Sequence, residues 1–267
     1  MEELTLLDSI ILGAIQGVSE FLPVSSSGHL VVARKFLHIK QVTSLYDVIL
    51  HVATLFVVMV MFHKTIWRLL KVVGKLCIGK IQAQDIPDLR FIVSIIIASV
   101  VTVPFGVIIS RIQVQNHPRT VCILFIVTGL LLIIASFYRG NRDYEDLKLS
   151  DGFVIGLYQG LGVLPGISRS GATISGCLML RMERKEAGEY SFILSIPAIV
   201  GALIFEMRNV DTLTQTIPPI VLAVGVLSAI IVGFASLAIL MKMIRHGKLH
   251  YFAAYLIPLG LIGIFLV

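Results

Sequence analysis

Charge is scarce in this sequence. Asp, Glu, Lys and Arg make up 14% of its 267 residues, where soluble domains carry about 25%. With so few polar side chains available to cover a folded surface, a water-soluble globular protein is excluded. Cysteine is scarce too. Cys77, Cys122 and Cys177 fall in or beside apolar segments, with no CxxC spacing. That excludes a thiol–disulfide centre or a thiolate zinc site and leaves packing as their role. Near the N-terminus a basic segment is missing. Glu2 and Glu3 precede the first apolar run, and no small-residue cleavage site follows it, so no removable signal peptide is expected.

What is present is hydrocarbon. Hydrophobic residues make up 57% of the chain and the mean hydropathy is +0.94, values that predict an integral membrane protein. Apolar runs near 46–62, 91–110, 120–138, 191–206, 217–241 and 251–267 are long enough, at about 1.5 Å per residue, to cross roughly 30 Å of bilayer core. Six transmembrane helices are expected from them.

Two further stretches are nearly the same. Residues 8–28 read DSIILGAIQGVSEFLPVSSSG and residues 151–171 read DGFVIGLYQGLGVLPGISRSG. Without a gap, Asp8 matches Asp151, Gly13 matches Gly156, Gln16-Gly17 matches Gln159-Gly160, and Ser25-x-Ser27-Gly28 matches Ser168-x-Ser170-Gly171. Their differences are chemical. Glu20 and His29 in the first copy stand opposite Val163 and Ala172, and Arg169 in the second stands opposite Ser26. One half offers an acid, an imidazole and a hydroxyl, and the other a cation. A single site assembled between two halves is the expectation.

Each apolar arm of the repeat runs about eleven residues before Gly-Pro punctuation, too short to cross and suited to a helix, a break and a returning helix. Pro23 and Pro165 are expected to end the first arm, and the serines that follow to cap the second. The spans and these hairpins together predict an all-α fold of about six transmembrane helices plus two re-entrant helical hairpins. Residues 1–140 form one repeat, with its hairpin at 6–37. Residues 141–267 form the other, with its hairpin at 151–180.

Sorting Lys and Arg by loop gives the orientation. If the six runs alternate and each hairpin returns to its own side, fifteen cations fall on one side. Six (Arg34, Lys35, Lys40, Arg111, Arg119 and Arg208) fall on the other, and Arg169 lies inside a hairpin. By the positive-inside rule the 63–90 loop is cytoplasmic and both termini are outside. The two hairpins then dip in from opposite faces, so the repeats have inverted topology. Basic loops that flank apolar spans and carry no nucleic-acid motif do not point to a nucleic-acid partner.

Broken helices in corresponding places of inverted halves point to a central binding site. Gln16 and Glu20 share one helical face at i,i+4, as do Arg169 and Thr173, and Ser26 and His29 lie at i,i+3. Two helix N-termini favour an anion between them. The planar fork of Arg169 matches phosphate oxygens, with the hydroxyls of Ser168, Ser170 and Thr173 nearby. Glu20, beside Gln16, offers oxygen of the kind a hard cation accepts alongside phosphates. Ser26 and His29 supply a nucleophile and an acid or base. Together these are the parts of phosphoryl transfer. Duller roles exist: Ser25 and Ser27 as caps, His29 as a packed histidine, Glu20–Arg169 as a structural ion pair. Asp47, His51, Glu189 and Glu206 read as interfacial or structural. The inverted architecture also suits a flippase for a lipid phosphate or an anion transporter, which needs the Arg169 clamp but not both Ser26 and His29.

The motifs QGVSE at 16–20, FLPVSSSGH at 21–29 and PGISRSGAT at 165–173 resemble those of the undecaprenyl-diphosphatase family, the bacitracin-resistance type. That family's first motif is Glu or Gln, three residues, then Glu. Gln at position 16 is within the pattern but removes one carboxylate from any metal site. The resemblance runs the length of the chain. It implies a bacterial plasma-membrane enzyme that removes the terminal phosphate of undecaprenyl diphosphate, returns the C55 carrier to cell-wall synthesis and competes with bacitracin. The implied site opens to the outer face and uses a divalent cation, Mg²⁺ or Ca²⁺, near Glu20. Glu20, Ser26, His29 and Arg169 are its implied catalytic residues. Gln16, Ser25, Ser27, Ser168, Ser170 and Thr173 are the supporting, substrate-binding ones. Whether Ser26, His29 or water attacks is left open, and a homodimer is one assembly that fits.

Overall fold

A computed structural model describes residues 4–39, 42–112, 114–207 and 217–266. Among these residues the fold is all-α, with no strand beyond an isolated bridge between Arg142 and Met182. Lys40 and Arg208, two of the six cations on the less basic side, lie outside the described residues, as does Val267 at the end of the sixth predicted span. The helices are α1 (Leu6–Phe21), α2 (Ser26–Phe36), α3 (Ser44–Met61), α4 (His63–Cys77), α5 (Ile86–Ile112) and α6 (Pro118–Ser136). They continue as α7 (Leu149–Leu161), α8 (Arg169–Met179), α9 (Arg184–Glu206), α10 (Pro219–Arg245) and α11 (His250–Leu266).

Five of them, α3, α5, α6, α9 and α10, are long and apolar enough to cross a membrane, while α11 is apolar but only 17 residues long. The chain is a multi-pass membrane protein. Pro104 and Pro197 sit inside spanning helices without ending them, as neighbouring helices in a membrane allow. The 63–90 segment, expected as a loop, instead contains the fifteen-residue helix α4. Lys64, Arg68, Lys71 and Lys75, a cation every three or four residues, hide its apolar positions from a search for long hydrophobic runs.

The matched residues do matched work. Asp8 occupies the third position of α1 and its carboxylate accepts from the Thr5 backbone N–H at 3.1 Å. Asp151 does the same in α7, accepting from Lys148 N–H at 2.9 Å. Gly13 brings α1 onto α10, where an added Cβ lies 2.2 Å from the carbonyl oxygen of Gly225. Gly156 brings α7 onto α5, where the same atom meets the Ala98 carbonyl at 2.9 Å. Accordingly α1 packs chiefly on α10 and α7 on α5, while α6 packs on α11 and α3 on α9. Exchanging α1 with α7 and α5 with α10 converts the first two pairs into each other.

In each copy of the repeat a helix ends, the chain breaks and a second helix follows near the expected Pro, with one difference. α1 ends at Phe21, just before Leu22-Pro23, but α7 ends at Leu161, four residues ahead of Pro165. Gly162 caps α7, and the Arg169 backbone leaves no room there for a side chain: an added Cβ lies 2.6 Å from Arg169 Cα. The cap residues are Ser25 and Ser168, whose hydroxyls accept from the N–H groups of Gly28 and Gly171 at 3.3 and 3.0 Å. The breaks also interlock. Ser25 Oγ accepts from Gly166 N–H at 3.0 Å, and Ser170 Oγ donates to the Phe21 carbonyl at 3.3 Å.

Candidate active site

Where the two breaks meet, a cavity of about 210 Å³ is lined by Ser19, Glu20, Ser25–Ser27, His51, Thr102, Gln159 and Ser168–Ser170. The first residues of α2 and α8, Ser26 and Arg169, both line it, so two helix N-termini with their positive dipole ends open onto one space.

Glu20 is the hub. Its side chain is 5% exposed and its Oε1 is paired with an Nη of Arg169. The other oxygen, Oε2, accepts from Ser26 Oγ at 2.7 Å and from Gln16 Nε2 at 3.1 Å. The second Nη of Arg169 is buried without a hydrogen-bond partner. A guanidinium that spends one arm on a carboxylate and holds the other free inside a cavity has donors in place for an anion.

His51 belongs to this cluster, which corrects its reading as an interfacial or structural residue. Its Nδ1 lies 2.9 Å from Glu20 Oε2 and 2.8 Å from Gln16 Nε2. One ring nitrogen here meets a carboxylate, which only accepts, and an amide nitrogen, which only donates. Its protonation decides which of them it bonds. The signal was in the sequence, because an imidazole in the middle of an apolar span is costly and defaults to function. Gln159 is the second residue that sequence reasoning passed over. It is the repeat's counterpart of Gln16, donates to Thr102 Oγ1 at 3.1 Å, and lines the cavity. In both glutamines the Oε1 is buried and unpartnered.

Not every expected residue reaches the cavity. Thr173 is fully buried, bonded to the Arg169 carbonyl at 2.9 Å and to the Ser191 hydroxyl, so it fixes the start of α8. Ser25 acts as a cap and a crosslink between the breaks. Ser168 and Ser170 line the cavity, their hydroxyls 3.2 Å apart. His29 faces elsewhere. Its Nδ1 is 2.9 Å from the Ser25 carbonyl, which can only accept, so Nδ1 carries the proton and Nε2 accepts from Tyr255 Oη at 2.8 Å. The ring stacks on Tyr255 and tilts against Phe125. His29 lines a second, apolar groove of about 530 Å³ with Ala14, Ile15, Val18, Leu22, Val24, Phe252 and Tyr255, and Ser19 borders both spaces.

As for a cation, Glu20 is the only carboxylate lining this cavity among the described residues, and Arg169 already neutralises it. That donor set does not make a cage. Gln16, expected beside Glu20, is fully buried and does not line the cavity, so Glu20 alone offers a carboxylate there to a hard ion that takes most of its oxygen from a phosphate. Elsewhere in the fold, Asp143, Glu183 and Glu186 form an acidic cluster outside the site, with Asp143 and Glu183 exposed.

Three of the network residues expected from the paired breaks (Glu20, Ser26 and Arg169) thus meet at one carboxylate. The sequence matches the family described as bacitracin resistance protein BacA over residues 9–262. It is 46% identical over 258 residues to the undecaprenyl-diphosphatase of Treponema denticola, covering 97% of this chain and 96% of that one. The undecaprenyl-diphosphatase of Borrelia hermsii is 37% identical, covering 94% of each chain. That of Methanosphaera stadtmanae is also 37% identical, over 98% of each.

Proposed function

This chain belongs to the bacitracin resistance protein BacA family, and from that premise we propose that it hydrolyses undecaprenyl diphosphate, releasing the terminal phosphate. The product monophosphate returns to cell-wall synthesis as a lipid carrier, and depletion of the diphosphate confers bacitracin resistance. One observation carries the reading: a buried carboxylate shared by a serine hydroxyl and an arginine whose other arm is free, at the meeting point of two broken hairpins.

In this reading the diphosphate takes over the fork of Arg169 and the N-terminal amides of α2 and α8. Glu20, released from Arg169, accepts the Ser26 proton through the hydrogen bond already made at Oε2. Ser26 Oγ attacks the terminal phosphorus, the bridging P–O bond breaks, and the lipid monophosphate leaves. Water then hydrolyses the phosphoserine, giving orthophosphate and restoring the hydroxyl. Ser26, not His29, is the nucleophile proposed, because it shares the Glu20 carboxylate while the His29 lone pair is turned to Tyr255. His29 stands at the neck of the apolar groove, next to the lipid-linked phosphate. A divalent ion such as Mg²⁺ or Ca²⁺ would be held by Glu20 together with the substrate's own oxygens and would supply positive charge beside the phosphates. Positioning and charge neutralisation are the main demands of phosphoryl transfer.

The groove supports a lipid substrate, since it is apolar and shares Ser19 as a wall with the polar cavity. The fifteen-to-six loop bias supports a plasma-membrane enzyme with outside termini and a site open outward. The reciprocal packing of α1 on α10 and α7 on α5 supports two inverted repeats dividing near residue 140.

The purified chain in detergent, given C55 diphosphate and Mg²⁺, releases orthophosphate. Arg169→Lys keeps a positive charge beside Glu20 but loses the planar fork, so turnover falls roughly a hundredfold or more with Tm unchanged. A wild-type chain that releases no orthophosphate while moving the lipid between leaflets overturns the hydrolase in favour of transport.

A further inference from the structure

Helix α4 begins one residue after the spanning helix α3 ends and takes no part in the polar cavity. At about 100° per residue its side chains sort onto three faces. Leu69 and Val72 are buried against the protein. Trp67 and Leu70 are 61% and 54% exposed, with Val73 beside them. The third face holds Lys64, Arg68, Lys71 and Lys75, within an arc of about 60°. No acidic residue occurs anywhere in the helix.

Two of these cations are already occupied. Arg68 pairs with Asp88 at 3.1 Å and Lys75 with Asp85 at 2.6 Å, which ties α4 to the start of α5. Lys64 and Lys71 have no acidic partner among the described residues, and Lys71 Nζ sits 5.7 Å from the centre of the Trp67 ring. An exposed Trp–Leu–Val face flanked by free lysines, at the end of a transmembrane span, matches one environment. It is the boundary between acyl chains and headgroups, where an aromatic ring sits at headgroup level and lysines meet lipid phosphate.

We infer that α4 lies in the membrane plane and binds the anionic headgroups of phospholipids through Lys64 and Lys71, with Trp67 and Leu70 inserted beneath them. The charge is complementary: unpaired cations on the basic side of the protein face a surface whose lipids carry net negative charge. The inference is independent of the hydrolytic chemistry.

Trp67 is the sole tryptophan of the chain, so intrinsic fluorescence reports on α4 alone. The full chain is reconstituted in phosphatidylcholine vesicles with a minor fraction of brominated lipid. Bromine near the headgroup end of the acyl chain quenches Trp67 more than bromine near the chain terminus. Brominated phosphatidylglycerol quenches more than brominated phosphatidylcholine at the same mole fraction, and added salt erases the difference. In the Lys64→Gln/Lys71→Gln chain the preference for the anionic lipid falls about fivefold per lysine, with orthophosphate release unchanged. Lys64→Arg/Lys71→Arg keeps the preference. Equal quenching by both lipids overturns the inference. So does a preference that survives salt and the glutamine pair, or a Trp67 that no brominated lipid reaches.

Discussion

Glu20 holds contacts to Arg169, Ser26, Gln16 and His51 on two oxygens, so anything that turns its carboxylate disturbs both the guanidinium and the hydroxyl. His51 is the contact least expected from the chain. Among the described residues its side chain makes polar contacts with Glu20 and Gln16, and the role proposed for it is to position that carboxylate. His51→Ala is therefore expected to lower kcat about 10–100-fold, the usual cost of losing a partner that orients a functional carboxylate or histidine, with KM little changed. His51→Asn places a polar atom where Nδ1 stood and restores most of the rate. His51→Gln, whose amide reaches the Nε2 position instead, does not. Steady-state kinetics on the three variants decide it: equal rates for the Asn and Gln chains reduce His51 to packing. In a Ser26→Ala background the His51 changes have no further effect, since residues acting as a unit are not additive.

Glu20, Arg169 and Ser26 were legible because each is a polar residue at a break in an apolar repeat. Thr173 and His29 carry the same signal and point elsewhere. Spacing gave their helix face but not what packs beside it: Ser191 takes Thr173, and Tyr255, 226 residues away in sequence, takes His29.

Among the elements, the repeat motif does structural work as well as chemistry. Gly13 has a backbone carbonyl where its Cβ belongs, and Gly74 on α4 has nothing within 4 Å of that position. Gly13→Ala forces α1 away from α10 and is expected to cost about 1–3 kcal/mol. Gly74→Ala removes a flexible residue from an exposed helix and is expected to add about 0.4–1 kcal/mol. Thermal unfolding in detergent separates the two by sign. If both variants shift Tm the same way, the close approach at Gly13 is not what holds α1 in place. The end of α1 and the start of α2 lie within three residues of Pro23. The early end of α7 was not legible, because the close approach of the Arg169 backbone to Gly162 is made by the fold and leaves no room there for a Cβ. Likewise α4 was missed because a helix lying along an interface needs no long apolar run.

For the whole molecule, the proposed substrate needs two unlike spaces side by side, one polar for a diphosphate and one apolar for a prenyl tail. The cavity at Glu20 and the groove beside Val18 lie on either side of Ser19, which lines both. Val18→Trp fills the groove without touching the polar cavity. It is expected to raise KM for C55 diphosphate roughly tenfold, the scale of an apolar pocket's discrimination, and to leave hydrolysis of a short, detergent-soluble prenyl diphosphate nearly unchanged. Equal losses on long and short substrates place the tail somewhere else.

The sequence by itself determined that this protein lives in a membrane, that its spans are helical, and that two matched hairpins carry divided polar equipment. Those are consequences of composition, run length and local backbone preference, which act within a few residues. Only the tertiary structure decided which polar groups meet. His51 comes from a neighbouring span to Glu20, Arg169 crosses from the other hairpin, and His29 turns away toward Tyr255. Those choices rest on close packing and on the need of each buried polar atom for a partner. Such partners lie far apart in the chain, where no spacing rule reaches.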